Sequence, residues 1–227
     1  MAHGKKEVGL ALLLCSLALF LIIVGEAASD SRFTMTRIKY GGGGDWYNGP
    51  TEVPNLMAEL LKRTTVDADP REKTLQIMDD DLYLYPIVFI TGHGNIKFKD
   101  EEVLRLRTYL LNGGFMYADD DYGMDKSFRR EIKRVFPDKE LAEVPFDHPI
   151  YRSFYDFPGG VPKIHEHDGG PPHAYGIFHK GRMIVYYTYN TNISDGWDSP
   201  HVHNDPPEKR ELALRMGVNI IVYALTY

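Results

Sequence analysis

The sequence contains almost no cysteine. Cys15 is the only one among the 227 residues, and it lies in an apolar N-terminal segment. Residues 29–227 therefore carry no thiol. This absence excludes disulfide bonds, cysteine nucleophiles and cysteine-ligated zinc or iron–sulfur sites from that part of the chain.

Excess positive charge and the common catalytic motifs are also missing. Lysine and arginine number 26 against 32 aspartate and glutamate residues, which gives a formal net charge of −6. Without a basic groove, nucleic acid is not an expected partner. The chain has no G-x-S-x-G nucleophile elbow, no HExxH zinc motif and no GxGxxG loop.

The N-terminus has the layout of a secretory signal peptide. Two lysines at positions 5 and 6 precede an uncharged run over residues 8–24, in which aliphatic side chains predominate. Small residues follow, and cleavage after Ala27 or Ala28 fits a signal peptidase site. The alternative is an uncleaved anchor, since an apolar run of ~17 residues is at the short limit for spanning a bilayer.

These features predict an exported protein, periplasmic or extracellular. Residues 1–28 would form the signal peptide or N-terminal membrane anchor, and residues 29–227 a single domain. Membrane contact is expected only through the N-terminal segment. A lipid attached at Cys15 is a weaker alternative, because Leu14 is larger than the small residue that such a site needs.

The rest of the chain alternates between strand and helix patterns. Residues 85–91 are apolar on both faces, as buried parallel strands are, and residues 99–111 have the spacing of an amphipathic helix. The predicted elements are strands at 33–40, 74–78, 85–91 and 115–118, helices at 51–61, 99–111, 126–135 and 208–225, and a hairpin of 175–179 with 183–189. This order predicts an α/β fold with a mainly parallel sheet, a C-terminal hairpin and a closing helix.

Three polar segments follow predicted strands. They are Gly41–Tyr47, with four glycines before Asp45 and Trp46; Thr91–Gly94, with His93 between two glycines; and Asp119–Tyr122, with three aspartates. Because open parallel sheets bind ligands at the carboxyl ends of their strands, we expect these segments to converge on one ligand site.

The residue types indicate how such a site would work. Asp119 or Asp120 would act as a general base, and His93 or His148 as an acid or metal ligand. The predicted ligand contacts, which would stack on and hydrogen-bond a small polar molecule, are Asp45, Trp46, Asp121, Tyr122 and Arg182. Each segment also has a structural alternative: the aspartates can cap the next helix, and the glycines can form a flexible turn in place of a phosphate cradle.

A further group of histidines lies in the C-terminal half. His165 and His167 flank Glu166, so that both imidazoles share one face of an extended chain. Such spacing can bind a metal ion, which makes His165 and His167 candidate metal ligands. The alternative is a pair of solvated loop histidines. A divalent metal is the one cofactor that the sequence suggests.

Five segments, RIKYGGGGDW, YPIVFITGHG, LRTYLLNGGFMYADDD, PFDHPIY and GVNIIVYALT, occur in this order over nearly all of residues 29–227. In sequence and order they resemble a bacterial family of domains of unknown function, DUF4159. That family is placed near the class I glutamine amidotransferase-like superfamily and the trehalose-utilisation-type domains. The resemblance implies a flavodoxin-like three-layer sandwich and an association with the cell envelope.

The resemblance does not imply glutaminase activity. In the amidotransferases, the strand corresponding to FMYAD leads to a nucleophilic cysteine, and here Asp119 and Asp120 occupy that region. We expect a domain that binds a small polar, carbohydrate-like ligand. The alternatives are a metal-assisted hydrolase or lyase on a similar substrate, and a scaffold that holds an envelope protein partner.

Overall fold

A seven-stranded sheet runs through the structure. The computed structural model describes residues 32–165 and 167–227. Within them the strands are β1 (Thr36–Ile38), β2 (Lys73–Leu75), β3 (Ile87–Ile90), β4 (Phe115–Asp119), β5 (Ala142–Glu143), β6 (His173–His179) and β7 (Arg182–Tyr189). Their order in the sheet is β2-β1-β3-β4-β7-β6-β5. The pairs from β2 to β7 are parallel, and β6 and β5 are antiparallel to their neighbours.

Helices cover both faces of this sheet. Those in the described residues are α1 (Glu52–Arg63), α2 (Asp100–Leu111), α3 (Asp125–Val135), α4 (Pro200–His203) and α5 (Pro207–Thr226). Apolar side chains of α1 and α5 pack with Ile87 and Phe89 of β3 in one hydrophobic cluster. Those of α2 and α3 pack with Val88 and Ile90 in a second cluster. The alternation along β3 shows that each face of the sheet has its own core.

The predicted α/β fold with a mainly parallel sheet is confirmed. The predicted helices and strands appear near their expected positions, although β1 is shorter than the expected strand over residues 33–40. The main difference concerns β7, which we expected only as half of a hairpin. It pairs with β6 in that hairpin but is also the parallel neighbour of β4, from Met116 opposite Val185 to Asp119 opposite Thr188. Residues 183–188 are all buried, as a central strand requires.

The predicted signal peptide or anchor, residues 1–28, lies outside the described residues. Residues Phe33–Tyr227 form one compact unit. In residues 32–165 and 167–227, no helix is long and apolar enough to cross a membrane.

The parallel strands β2, β1, β3, β4 and β7 end at the same edge of the sheet, which we call the carboxyl edge. The loops that follow them therefore meet there. An isolated bridge between His93 and Tyr122 joins the loops after β3 and β4, and another between Gly41 and Lys97 joins the loop after β1 to the chain after β3. The opposite edge, where these strands begin, is the amino edge.

Candidate functional site

Three histidines and two aspartates come together at the carboxyl edge. His93 follows β3, Asp121 follows β4 and Asp195 follows β7, while His165 and His167 lie in the loop before β6. We call these five residues the histidine–carboxylate cluster. Three of the five parallel strands that end at this edge thus contribute to it directly.

Asp45, in the loop after β1, fixes the ring of His93. One carboxylate oxygen of Asp45 accepts a hydrogen bond from the backbone N–H of His93, and the other lies 2.9 Å from Nδ1. Gly92 permits this approach, because its φ is +129° and a Cβ there would lie 2.8 Å from Oδ1 of Asp45. With Nδ1 turned to Asp45, Nε2 of His93 lies 3.2 Å from a carboxylate oxygen of Asp121.

A buried arginine holds the loop that carries Asp45. Arg37 donates hydrogen bonds to three carbonyl oxygens of this loop, at 2.7 to 3.3 Å. Its guanidinium also forms ion pairs with Glu52 and Glu72, at 3.0 and 2.6 Å. Asn48, in the same loop, donates its side-chain amide to Asp121. The loop after β1 is therefore anchored on one side and contacts the cluster on the other.

Asp121 is buried, and two amide groups fix its carboxylate. Asn48 donates to Oδ2, and Asn192 donates to Oδ1 at 3.0 Å. Nε2 of His93 lies 3.2 Å from Oδ2, and Nε2 of His167 lies 3.8 Å from Oδ1. The carboxylate is thus held in place while each oxygen faces an imidazole nitrogen.

The ring of His167 lies against Tyr122, with 4.7 Å between the ring centroids. Burial, and then the neighbouring His165, lower the pKa of His167. A lowered pKa favours the neutral imidazole, which is the form that binds metal ions.

The positions of His93, Asp121 and His167 fit a metal ion. One ligand atom from each residue lies within 4.8 Å of the other two. Imidazole nitrogen and carboxylate oxygen are the donors that Zn²⁺ and other divalent transition-metal ions take. The contact of Asp45 with Nδ1 of His93 matches the common arrangement in which a carboxylate orients a metal-binding histidine from behind.

His165, His167 and Asp195 form a second group with the same spacing. Asp195 is buried, and Nε2 of His203 lies 3.8 Å from its Oδ1. Burial, and then the nearby Asp121, raise the pKa of Asp195. His167 belongs to both groups, so the two positions adjoin each other.

A cleft of about 470 Å³ opens beside the cluster. Asp121 and His167 lie in its wall, and Tyr122 and Tyr189 contribute aromatic side chains. The other lining residues are Asp120, Gly123, Asp125, Lys126, Asp168, Asn190 and Asn192. A small molecule in this cleft would therefore contact both hydrogen-bond donors and hydrogen-bond acceptors next to the cluster.

Asp119, predicted as a general base, makes its hydrogen bonds inside the protein. It is fully buried, and its carboxylate accepts hydrogen bonds from the backbone N–H and hydroxyl of Ser194, at 2.7 and 2.9 Å. The hydroxyls of Thr188 and Thr191 also donate to it. Burial raises the pKa of Asp119 to about 6. The side chain thus ties the turn after β7 to the end of β4.

Asp120 acts as a helix cap and also lines the cleft. Its oxygens accept hydrogen bonds from the backbone N–H groups of Met124 and Asp125, at 2.8 and 3.1 Å. These groups lie at the start of α3, which has no partner for them within the helix. Burial raises the pKa of Asp120 to about 6. This is the structural alternative that the sequence left open for the aspartate run.

His148, predicted as an acid or metal ligand of the same site, lies apart from the cluster. Its Nδ1 accepts a hydrogen bond from the backbone N–H of Ile150 at 3.2 Å. Its ring packs against Phe178 and Tyr223, next to the amino end of β7. Burial lowers the pKa of His148. The cluster lies beyond the end of β7, whereas Phe178, which His148 contacts, is paired with Met183 near the start of that strand.

Two predicted ligand contacts also lie elsewhere. Arg182 begins β7 at the amino edge and donates hydrogen bonds to the carbonyl oxygens of Gly114 and Ala224. Trp46 packs against the hydrophobic cluster beneath α2 and α3, with Lys39 5.3 Å from its ring centroid, and does not line the cleft. Neither side chain reaches the residues that surround Asp121.

Sequence analysis missed Asn192 and Asp195. Both follow β7, which we interpreted as half of a hairpin and not as a parallel strand. A signal was present, since residues 183–188 include a long apolar run and polar residues follow directly. Placing this strand beside β4 would have predicted that its end joins the same site.

Comparison with known proteins places the chain in a family. No curated protein matches it. Residues 34–225 match the family described as a domain of unknown function, DUF4159. This match spans most of the chain and contains the whole histidine–carboxylate cluster. The chain therefore belongs to the DUF4159 family of domains of unknown function.

Proposed function

We propose that this domain binds a divalent metal ion at His93, Asp121 and His167 and uses it to hold a small polar, carbohydrate-like ligand in the adjacent cleft. One observation carries the proposal: both ring nitrogens of His93 face carboxylates, Asp45 at Nδ1 and Asp121 at Nε2. A neutral imidazole has one ring proton, so only one contact can be an ordinary hydrogen bond. A metal ion at Nε2 satisfies the other contact.

A second proton on His93 is the competing explanation for its two contacts, but it does not account for the position of His167. Nε2 of His167 approaches the same carboxylate, at 3.8 Å from Oδ1 of Asp121. Two protonated imidazoles would place like charges side by side, with ring centroids 6.5 Å apart. Two neutral imidazoles and one carboxylate form a set of three metal ligands. The lowered pKa of His167 supports the neutral form.

The cleft supports a small ligand rich in hydroxyl groups. Its volume of about 470 Å³ suits a small molecule. Tyr122 and Tyr189 offer aromatic surface for the apolar face of a sugar ring, and Tyr122 is 49% exposed. Carboxylates, amides and Lys126 supply hydrogen-bond acceptors and donors around it. This combination recognises neutral polyhydroxyl compounds better than it recognises apolar ones.

A metal-assisted hydrolase is the second candidate. Three protein ligands leave at least one coordination position open, which is the arrangement of catalytic and not of structural zinc sites. A bound ion in such a site lowers the pKa of a coordinated water and supplies a nucleophile for hydrolysis. The side of the cluster formed by Asp121 and His167 opens to the cleft, where a substrate would lie.

We further propose that the fold is flavodoxin-like and related to the glutamine amidotransferases, without their activity. Helices on both faces of a mainly parallel sheet support this kinship. Residues 29–227 contain no cysteine, and Asp119 and Asp120 follow the strand that carries the thiol nucleophile in those enzymes. Glutaminase chemistry through a thioester is then impossible in this domain.

Export and an envelope location also belong to this proposal. The basic, apolar and small residues of the N-terminus support a signal peptide over residues 1–28 or an anchor over residues 8–24. Cell fractionation and N-terminal sequencing test this. Export predicts protein outside the cytoplasm, with a new N-terminus near residue 28 if the leader is cleaved. Full-length protein found only in the cytoplasm contradicts it.

Calorimetric titration of the full chain tests the metal site. Protein freed of metal with a chelator should bind Zn²⁺ or Mn²⁺, and the His93→Ala variant should lose the binding step that belongs to this site. His179→Ala is the matched control, because His179 pairs with Arg182 at the amino edge, and it should bind as the parent does. Equal affinity in the parent and His93→Ala, or no binding to the parent, makes the proposal wrong.

A panel of mono- and disaccharides, measured with and without the bound ion, tests the ligand. We expect binding that requires metal, and release of a bond-cleavage product if the domain is also a hydrolase. Metal binding with no sugar bound under either condition contradicts the ligand part of the proposal. A captured envelope protein, bound equally by His93→Ala, would then favour the scaffold alternative.

A further inference from the structure

His165 is held in the same way as His93. Oδ1 of Asp205 lies 3.2 Å from Nδ1 of His165, as a carboxylate oxygen of Asp45 lies 2.9 Å from Nδ1 of His93. In each ring Nε2 is the nitrogen that remains to bind an ion. In metal sites, a carboxylate commonly accepts a hydrogen bond from the ring nitrogen of a histidine that does not bind the ion. This arrangement occurs twice at the carboxyl edge.

Two carboxylate oxygens near His165 have no hydrogen-bond partner within the described part of the chain. They are Oδ1 of Asp195 and Oδ2 of Asp205. The side chains of these residues are only 1% and 6% exposed. Nε2 of His203 lies 3.8 Å from Oδ1 of Asp195, which is too far for a hydrogen bond. A buried carboxylate oxygen without a donor is costly unless a cation or a proton binds it.

Negative charge is concentrated around these oxygens. One side-chain amide, Nδ2 of Asn192, reaches both Asp121 Oδ1 at 3.0 Å and Asp195 Oδ2 at 3.4 Å, so the two buried carboxylates lie side by side. Across residues 32–165 and 167–227, the ion pairs to Asp121, Asp195 and Asp205 come from histidines and from no lysine or arginine. A divalent cation between the carboxylates would offset their mutual repulsion.

We propose that a second divalent ion binds at His165 and Asp195, beside the ion at His93 and Asp121, with His167 between the two positions and bound to one of the ions. The proposal rests on the proposed function for the first ion. It follows from the two groups of three ligand atoms, each within 4.8 Å, that have His167 in common. Sites with two divalent ions are established in hydrolytic and phosphoryl-transfer enzymes.

A pair of ions narrows the class of ligand. Two adjacent cations bind two neighbouring oxygens, such as vicinal hydroxyls or the two oxygens of a carboxylate, better than they bind an isolated hydroxyl. The cleft opens on the side of Asp121 and His167, where such oxygens would approach. The ligand we infer is therefore a sugar or sugar acid that presents two adjacent oxygens.

Metal stoichiometry of the full chain tests the second position. The parent protein, loaded with Mn²⁺ and passed through a desalting column, should retain two equivalents. Asp195→Asn and His165→Ala should each retain one, and His93→Ala should retain one through the other position. His167→Ala should weaken binding at one of the two positions. Electron paramagnetic resonance provides an independent readout, because two neighbouring Mn²⁺ ions give a spin-coupled signal that a single ion does not.

The outcomes separate the second ion from the first. One equivalent in the parent that is lost in His93→Ala and kept in Asp195→Asn and His165→Ala supports the proposed function and overturns the second ion. No retained metal in the parent overturns both. Asp195 is buried, so its variant can fail to fold, and His165→Ala keeps the test decisive because that ring is 32% exposed. Two equivalents retained in folded His165→Ala also overturn the second position.

Discussion

The two edges of the central sheet use their polar residues in opposite ways. At the amino edge, the side chains of His148 and Arg182 make hydrogen bonds with backbone groups. At the carboxyl edge, His93, Asp121 and Asp195 face other titratable side chains. Acceptors that face one another are unfavourable unless a cation or a proton joins them. The contrast supports the proposal that the carboxyl edge binds a metal ion, while the residues of the amino edge stabilise the fold.

The same contrast occurs within three consecutive aspartates. The carboxylate of Asp119 accepts hydrogen bonds from β7 and from the turn after it, and Asp120 caps α3. Asp120 and Asp121 both line the cleft, but Asp121 alone among the three approaches two imidazole nitrogens. Because all three are aspartates, residue type does not distinguish these roles. The direction of each side chain determines which role it has.

The largest effect on stability is expected from Asp119→Ala. It leaves the buried N–H of Ser194 and three hydroxyl groups without their acceptor, which should lower the free energy of unfolding by about 3 kcal/mol. Asp119→Asn keeps one oxygen for the N–H of Ser194 and should cost less than half as much. Denaturant unfolding of metal-free protein measures both.

Asp121→Asn is the variant that sharpens this comparison. Its amide removes the unfavourable interaction of Asp121 with Asp195, whose pKa burial and Asp121 raise, so the metal-free variant should be as stable as the parent or more stable. Metal affinity should nevertheless fall. If Asp121→Asn destabilises the metal-free protein as much as Asp119→Ala does, the division between fold and site within this run is wrong.

Asp45→Asn should weaken metal binding by an intermediate amount. Asp45 contacts His93 and is not itself expected to bind the ion, so its loss removes only the orientation of the ring. Loss of a group that orients a metal-binding histidine typically lowers metal affinity about tenfold to a hundredfold. Titration with Zn²⁺ measures the effect, and Asp147→Asn at the amino edge serves as the control. An unchanged metal affinity in Asp45→Asn would show that the contact of Asp45 with Nδ1 does not prepare His93 for metal binding.

Much of the fold was predictable because its signals are local. The apolar run of residues 85–91 and the amphipathic helix over 99–111 each show their pattern within a dozen residues, and both are confirmed. The rule that ligands bind at strand ends then placed His93 and Asp121 at one edge without any knowledge of side-chain directions.

The rest of the site depends on contacts that sequence spacing does not encode. Asp195 is absent from the predicted site because the parallel pairing of β4 with β7 joins segments about 70 residues apart. His148 was included because an imidazole beside a proline resembles a site residue, although its ring packs with Phe178. Long-range pairing decided both outcomes, and no local pattern reports it.

The smallest expected effect concerns acid stability at the amino edge. Burial lowers the pKa of His148 below its ordinary value, so the unfolded chain binds this proton more readily than the folded chain. The contribution of His148 to stability is therefore present above about pH 6.5 and is lost as the pH falls through the folded-state pKa. Protonation of Nδ1 also removes the acceptor for the N–H of Ile150, a bond worth about 1 kcal/mol. His148→Asn keeps an acceptor that does not titrate, so its free energy of unfolding should fall less than that of the parent between pH 7 and 5. His179→Asn should follow the parent, and identical curves for all three proteins would show that His148 does not carry this sensitivity.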